Sequence, residues 1–350
     1  MLGRRHCVLT GSGTTALWTA FSCVSPERPK ILLPAILCLD PVLGVHYADR
    51  IPVFSDVLAT NATIDPAYAA RRIEEDPAIG AVVAAHLYGS PADIEGLERV
   101  CQTNDVLLIE DAAQALGGSH DDGRRFGTAG SAAVLSFGHT KILDVGAGGA
   151  LLTDDDALAD RARSLQLALR PKAEDESLSS SYRDLFYAIW RHGELNPQVL
   201  RLFSAFPAVY RNLHVHRATT AMASTIEAAL PRLDSEVVER RGRARLYRTG
   251  LEGVPGVRFF EEHEGDVPWR FSFRVPATRR EEVLVCVRDA GFDASRWYPN
   301  VSAWTAHGER AGEYPVADLI EAEVVNLWVT EDYSDARIGA VVDAVAAALS

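Results

Sequence analysis

Seven short apolar runs, each of strand length, punctuate the first 153 residues of this 350-residue chain: HCVLT, KILLP, IPVFSDV, IGAVVAAHL, VLLIED, AAVLSF and GALLTD. Between them lie segments such as 66–75 (PAYAARRIEE) and 92–103 (ADIEGLERVCQT), in which apolar residues recur three and four apart, as on one face of a helix. This alternation predicts an α/β domain, a mostly parallel sheet with helices on both faces.

Beyond the last run the pattern breaks. Residues 171–213 mix charge, serine and aromatics and read as an irregular or helical excursion from the sheet. A long helical stretch covers 217–252, followed by strand-like text at 256–260, 269–275 and 324–330 and helices near 279–290 and 335–349. This half predicts a smaller α+β unit. Ser334 suits the N-cap of the last helix, where Ile338, Val341, Val342, Val345 and Leu349 form one apolar stripe. The length fits two domains, divided near residue 225.

With 35 Lys+Arg against 48 Asp+Glu the net charge is −13, which repels phosphate backbones and anionic lipid. Neither nucleic acid nor a membrane is an expected partner. Five arginines in 239–248 (ERRGRARLYR) read, against that background, as a solvated helix face. The cysteines (Cys7, Cys23, Cys38, Cys101, Cys286) are odd in number, scattered and never arranged as C-x-x-C, so neither a disulfide framework nor a cysteine zinc site is expected. The opening MLGRRHCVLTGSG reaches a glycine turn before any apolar stretch long enough for a signal peptide, and no run of about 18 apolar residues occurs, which points to the cytoplasm.

Three segments carry chemistry. GSGTTAL at 11–17 follows a strand and opens a helix, so its backbone N–H groups and the positive helix end make an anion seat. The string also satisfies G-x-G-x-x-A, but a dinucleotide site asks for an acid at the end of the second strand; ILLPA supplies none, and Asp40 lies past a proline. VLLIEDAAQALG at 106–117 sets Glu110 and Asp111 at the carboxyl edge of the sheet, where ligands of open α/β folds bind; a cap or metal ligand would also satisfy Asp111. AAVLSFGHTKILDVGAGGALLTDD at 132–156 brings Ser136, His139 and Lys141 together before a glycine-rich segment. A lysine after a strand is commonly a snorkelling surface residue. Lys141, however, is one of only three lysines in the chain, beside Lys30 and Lys172, and an amine condenses with an aldehyde where a guanidinium does not.

A phosphate-accepting helix end, a strand-end carboxylate and an isolated lysine are the parts that pyridoxal phosphate requires: donors for the phosphate, an anion for the ring nitrogen, an amine for the aldehyde. The ordered motifs GSGTTAL, HLYGSPADI, IEDAAQALG and SFGHTK with GAGGALLTDD resemble those of the DegT/StrS-type (DegT/DnrJ) family of sugar aminotransferases, pyridoxal-phosphate enzymes of fold type I. RATTAMASTIEAALPRLDSEVVERR carries the resemblance onward, so it covers nearly the whole chain. It implies a cofactor-binding large domain over 1–225 and a small C-terminal α+β domain over 226–350. It assigns Lys141 to holding the cofactor covalently and shuttling the proton, and Asp111 to the pyridine nitrogen. Gln114 would face the ring or its hydroxyl, and Gly13, Thr14, Thr15 and Ser136 would hold the phosphate. Cys38 stands where the family usually stacks an aromatic residue, four positions after the strand-end Pro34. The implied reactants are an amino-acid donor, glutamate by expectation, and a keto sugar nucleotide or ketocyclitol; the implied assembly is a homodimer, with no metal.

Other departures accompany Cys38. Val215 precedes His216-Arg217 where an asparagine often reaches the partner subunit's phosphate, Ala147 takes the acidic position of a GEGG segment, and ten residues precede the glycine turn where some tens are usual. Relatives with histidine for the lysine run dehydration; Lys141 favours transamination, with His139 close in sequence. Two rival readings are a nicotinamide-dependent oxidoreductase on the glycine turn, which leaves Lys141 and Asp111 unexplained, and a pyridoxal-phosphate-binding regulator or dehydratase-like variant without transaminase turnover. His214 and His216 form an H-x-H pair with no third metal ligand nearby in sequence.

Overall fold

The computed structural model describes residues 2–172, 175–193, 197–305 and 312–350. All seven apolar runs are strands: β1 (His6–Thr10), β2 (Lys30–Pro34), β3 (Ile51–Ser55), β4 (Ile79–Ala85), β5 (Leu107–Asp111), β6 (Ala132–Ser136) and β7 (Gly149–Thr153). They form one sheet in the order β1-β7-β6-β5-β4-β2-β3. The five strands β2 to β6 are parallel, and β7 runs antiparallel between β1 and β6. A parallel pair needs a long crossover, supplied by α2 (Leu39–Tyr47), α3 (Pro66–Glu75) and α4 (Ile94–Thr103), and by the irregular segment 112–131 between β5 and β6. The connection 137–148 holds no helix, so β7 turns straight back along β6.

Helices cover both faces because successive strand residues point opposite ways. Ile31, Leu33, Val83 and Ile109 pack with α1 (Gly13–Ser22) and α2, while Leu32, Val82 and Leu108 pack with α3 and α4. Asp65, Asp93 and Ser12 cap α3, α4 and α1 by accepting N–H bonds from the first turn. After α5 (Asp156–Ala168), the described residues of the excursion at 171–213 are largely helical: α6 (Glu176–Gly193), a 3₁₀ run over Pro197–Ala205 and α7 (Phe206–His214).

The stretch expected as one long helix over 217–252 is two, α8 (Thr220–Ala229) and α9 (Leu233–Leu251), parted by a 3₁₀ turn at Leu230–Arg232. Pro231 has no N–H to continue the helical ladder. The C-terminal half then builds a four-stranded antiparallel sheet, β10-β11-β9-β8, from β8 (Arg258–Phe259), β9 (Phe271–Arg274), β10 (Ala294–Ser295) and β11 (Val324–Leu327). Its core joins Phe271, Phe273 and Leu327 to Tyr247 of α9, Val283 and Val287 of α10 (Ala277–Asp289), and Ile338, Val341 and Val345 of α13 (Asp335–Leu349). Ser334 caps α13. The short helices α11 (Val301–Thr305) and α12 (Pro315–Glu323) bury Val301, Trp304, Ala317 and Ile320 in the large core instead.

Candidate active site

At the carboxyl ends of the parallel strands lies a cavity of about 370 Å³. Its phosphate-like end is made by the turn from β1 into α1. Ser12 Oγ accepts the Thr15 N–H (2.9 Å) and donates to the His214 carbonyl (2.7 Å). Gly13 is needed for contact: a Cβ there would stand 2.7 Å from Ser136 Cβ, so only glycine lets the helix start against the end of β6. Gly11 serves likewise, since its Cβ would fall 2.1 Å from His216 Nδ1. Gly11, Ser12, Gly13, Thr14 and Ser136 all line the cavity, with the first-turn N–H groups and the positive end of α1 facing it. Thr15 does not line it. Its side chain is buried, its N–H is taken by Ser12, and its hydroxyl bonds the His214 carbonyl (2.8 Å), so it braces the turn from behind.

Asp111 closes β5 at the opposite wall, nearly buried, with Oδ1 accepting one bond from the Ala113 N–H (3.0 Å). Burial raises its pKa above the ordinary range, and that backbone bond and the Lys141 charge partly offset the rise. A buried carboxyl with a single donor is suited to a further cationic N–H. Gln114 also lines the cavity, its Oε1 held by the Tyr88 N–H (3.2 Å).

Lys141 sits on the same cavity, half-buried, on the loop between β6 and β7. The preceding residue, Thr140, is held in the left-handed region at φ 66°. Its N–H bonds Asp144 Oδ2 (2.8 Å) and its carbonyl accepts the Trp269 indole N–H (2.7 Å). A non-glycine residue in that region costs about 1–3 kcal/mol, so packing from both sides fixes the turn that aims the lysine. The Lys141 charge bears on the Cys38 thiol as well as on Asp111. Cys38 lines the cavity at the N-cap of α2, its Sγ 3.5 Å from Asp40 Oδ2; burial pushes the thiol up, keeping it protonated.

Several wall residues escaped the sequence reading as site residues. Ser12, the N-cap of α1, is one of them. His214 and His216 line the cavity beside α1; burial pushes His216 down to about 4, so its ring is neutral, and its buried Nδ1 has no protein partner. His214 Nδ1 bonds the Tyr47 hydroxyl (2.8 Å). His86, one residue past β4, contributes from below. It belongs with Glu110 and His120 to the one grouping of metal-ligand types among the described residues. The geometry is that of hydrogen bonds: Glu110 accepts from His86 Nε2 (2.9 Å), His120 Nε2 (3.0 Å), Gly127 N–H (2.8 Å) and Ala129 N–H (2.7 Å). His86 Nδ1 accepts the Ala92 N–H, which places the proton on Nε2 and leaves no lone pair there for an ion. Burial opposes the Glu110 charge, but the bonds from His120 and His86 hold its carboxyl well below the usual range.

Arg240 also departs from expectation. Within the arginine-rich stretch of α9 it is buried, bonding Glu236 (2.7 Å) and the Trp269 carbonyl (3.0 Å). The solvated-face reading fails there because that side of α9 packs on the chain leading into β9.

An amine, a carboxyl seeking a cation and a helix-end anion seat, gathered in one cavity at this sheet edge, match the class of fold type I pyridoxal-phosphate transferases. The residues fit the group: Gly13, Thr14 and Ser136 line one end of the cavity at the start of α1, where an anion is favoured, and Asp111, with a single backbone donor on its carboxyl, has capacity for a ring N–H. The chain belongs to the DegT/DnrJ/EryC1/StrS aminotransferase family, whose model matches residues 1–346. It is 36% identical to an L-glutamine:2-deoxy-scyllo-inosose aminotransferase of Micromonospora echinospora, over 49% of this chain and 40% of that protein. It is 27% identical to a dTDP-3-amino-3,4,6-trideoxy-alpha-D-glucose transaminase of Micromonospora megalomicea subsp. nigra, over 93% and 80%. The crystal structure of DesV from S. venezuelae superposes with a TM-score of 0.78 at 25% identity, covering 99% of this chain and 85% of that one. The protein is thus an aminotransferase-family enzyme, which displaces the nicotinamide reading; β2 ends at Pro34 and Asp40 lies inside α2. Among the described residues no helix is long and apolar enough to cross a membrane.

Proposed function

We propose that this enzyme transfers an amino group from an amino acid, glutamate in the first instance, to the ketone carbon of a sugar nucleotide or cyclitol, with pyridoxal phosphate as cofactor. The observation that carries this reading is the shared cavity of Lys141, Asp111 and the α1 terminus, with the Lys141 charge acting on Asp111. Pyridoxal phosphate supplies, when bound, an aldehyde that condenses with amines and a ring that accepts an electron pair. The chain supplies the rest. Gly13 and Thr14 N–H groups with the Ser136 hydroxyl bind phosphate oxygens. Asp111 accepts the ring-nitrogen proton, and Gln114 offers its amide NH₂ to the ring side of the cavity. Lys141 Nζ is the amine that would hold the cofactor, and it would serve as the base that moves a proton at the reacting carbon. Cys38 supplies a compact apolar wall where a stacked ring is usual, and Thr15 maintains the phosphate turn. Two copies form the working unit. Relatives named for a cyclitol and for a dTDP-sugar support both acceptor classes.

The test supplies glutamate with a panel of keto sugar nucleotides and ketocyclitols and measures release of the 2-oxo acid. Release dependent on an acceptor, and abolished in Lys141→Ala, is expected. Equal release from the variant, or none with any acceptor, overturns the reading.

A further inference from the structure

Between the turn at 120–123 and the segment 261–263 lies another cavity, of about 260 Å³, which shares no lining residue with the active-site cavity. Five carboxylates line it, and among the described residues no lysine or arginine does. Three of the five are already engaged: Asp93 caps α4, Glu95 pairs with Arg99, and Asp122 pairs with Arg124 (2.6 Å). Glu261 is exposed, and its carboxylate has no partner among the described residues. Asp121 stands 3.4 Å from His263 Nδ1. Negative charge gathered in this way, with no cation in the wall, favours a bound cation.

Two imidazoles narrow the class of cation. His120 is 6% exposed, and its Nε2 donates to Glu110 Oε1 (3.0 Å). A neutral ring with its proton there carries a lone pair on Nδ1, and that atom is buried without a partner. The two nitrogens look out from different edges of the ring, so with Nε2 turned to Glu110 it is Nδ1 that is left for the cavity His120 lines. His263 repeats the pattern: Asp121 lies against its Nδ1, and its buried Nε2 has no partner. A carboxylate behind an imidazole whose other nitrogen is bare is the arrangement that orients a histidine metal ligand. Two such imidazoles beside a free carboxylate suit zinc and its transition-metal neighbours, whereas calcium and magnesium take oxygen ligands. No three ligand atoms of this cavity lie within 4.8 Å of one another, so the site is empty and open, and the exposed Glu261 side chain has the freedom to close it.

We propose that His120 Nδ1, His263 Nε2 and the Glu261 carboxylate bind one divalent transition-metal ion of the zinc class, with water completing a tetrahedral shell. The bound ion ties the loop after β5 to the chain leading toward β9. The site is independent of the cofactor and of both reactants. The test titrates the metal-free full chain with Co²⁺, whose visible absorbance reports its ligand geometry, and then with Zn²⁺ in competition. One saturable Co²⁺ site per chain, bleached by Zn²⁺, is expected. His263→Gln is expected to weaken binding by about 10- to 100-fold, and Glu261→Gln, an exposed position that leaves the fold intact, by about tenfold. His120 is left in place because it also braces Glu110. Zn²⁺ is expected to raise the melting temperature of the parent more than that of either variant. Absence of a saturable site, or an affinity unchanged in both variants, overturns the proposal as an adventitious ion only. An affinity that falls in His214→Gln instead places the metal in the active-site cavity and overturns it equally.

Discussion

Lys141 owes its direction to neighbours far away in sequence. The left-handed turn at Thr140 is clamped by Asp144 from its own loop and by Trp269 from the other half of the chain. Trp269→Phe keeps the ring and deletes the indole donor, so it is expected to lower kcat by about tenfold or more while cofactor content stays normal, because small misplacements of a reacting group are expensive in rate. Asp111→Asn keeps size and removes charge; steady-state turnover is expected to fall by about 100-fold or more with cofactor still bound. At this scale the sequence was informative where a residue's position depended on the strand before it. Asp111 and Ser136 end their strands, Gly13, Thr14, Gln114 and Lys141 follow strand ends, and all reach one cavity. Thr15 shares the same motif yet faces inward, since one position of helical rotation turns it toward the His214 carbonyl.

Glu110 organises several elements at once. Its carboxylate ties the end of β5 to His86 after β4 and to the loop N–H groups of Gly127 and Ala129 that lead into β6. Glu110→Gln replaces one acceptor oxygen with a donor amide facing N–H groups. It is expected to lower stability by about 3–5 kcal/mol, read by chemical denaturation. Nothing local announces this cluster: residues 86, 110 and 120 meet only after β4 and β5 pair. Elements with local punctuation were legible, as with α3, where Asp65 and Pro66 mark the start over the expected 66–75. The two-residue β10 was missed because two residues show no alternation, and the break between α8 and α9 was missed although Pro231 causes it.

Two buried acids whose pKa values move in opposite directions shape the stability of the whole molecule. Asp266 is pushed up to about 6 by burial, and its Oδ1 has no partner. The native state therefore binds its proton more tightly than the unfolded chain, so stability falls as pH rises from about 4 through 6 and stays lower above. Asp266→Asn, whose oxygen can still accept the His263 N–H, is expected to raise stability at pH 7 by about 1–3 kcal/mol and to flatten that decline, as measured by melting from pH 4 to 7. Glu110 works in the other direction: its lowered pKa gives stability that is present above about pH 4.5 and lost as acid protonates it.

One spectrum bears most directly on whether the amine at 141 does covalent chemistry with an aldehyde cofactor. The purified protein, supplied with pyridoxal phosphate and freed of excess, is expected to show a near-visible absorbance band that moves to shorter wavelength when glutamate is added. The Lys141→Ala protein is expected to lack that band before the donor is added. A parent protein that stays colourless, or a band identical in the variant, would contradict the account.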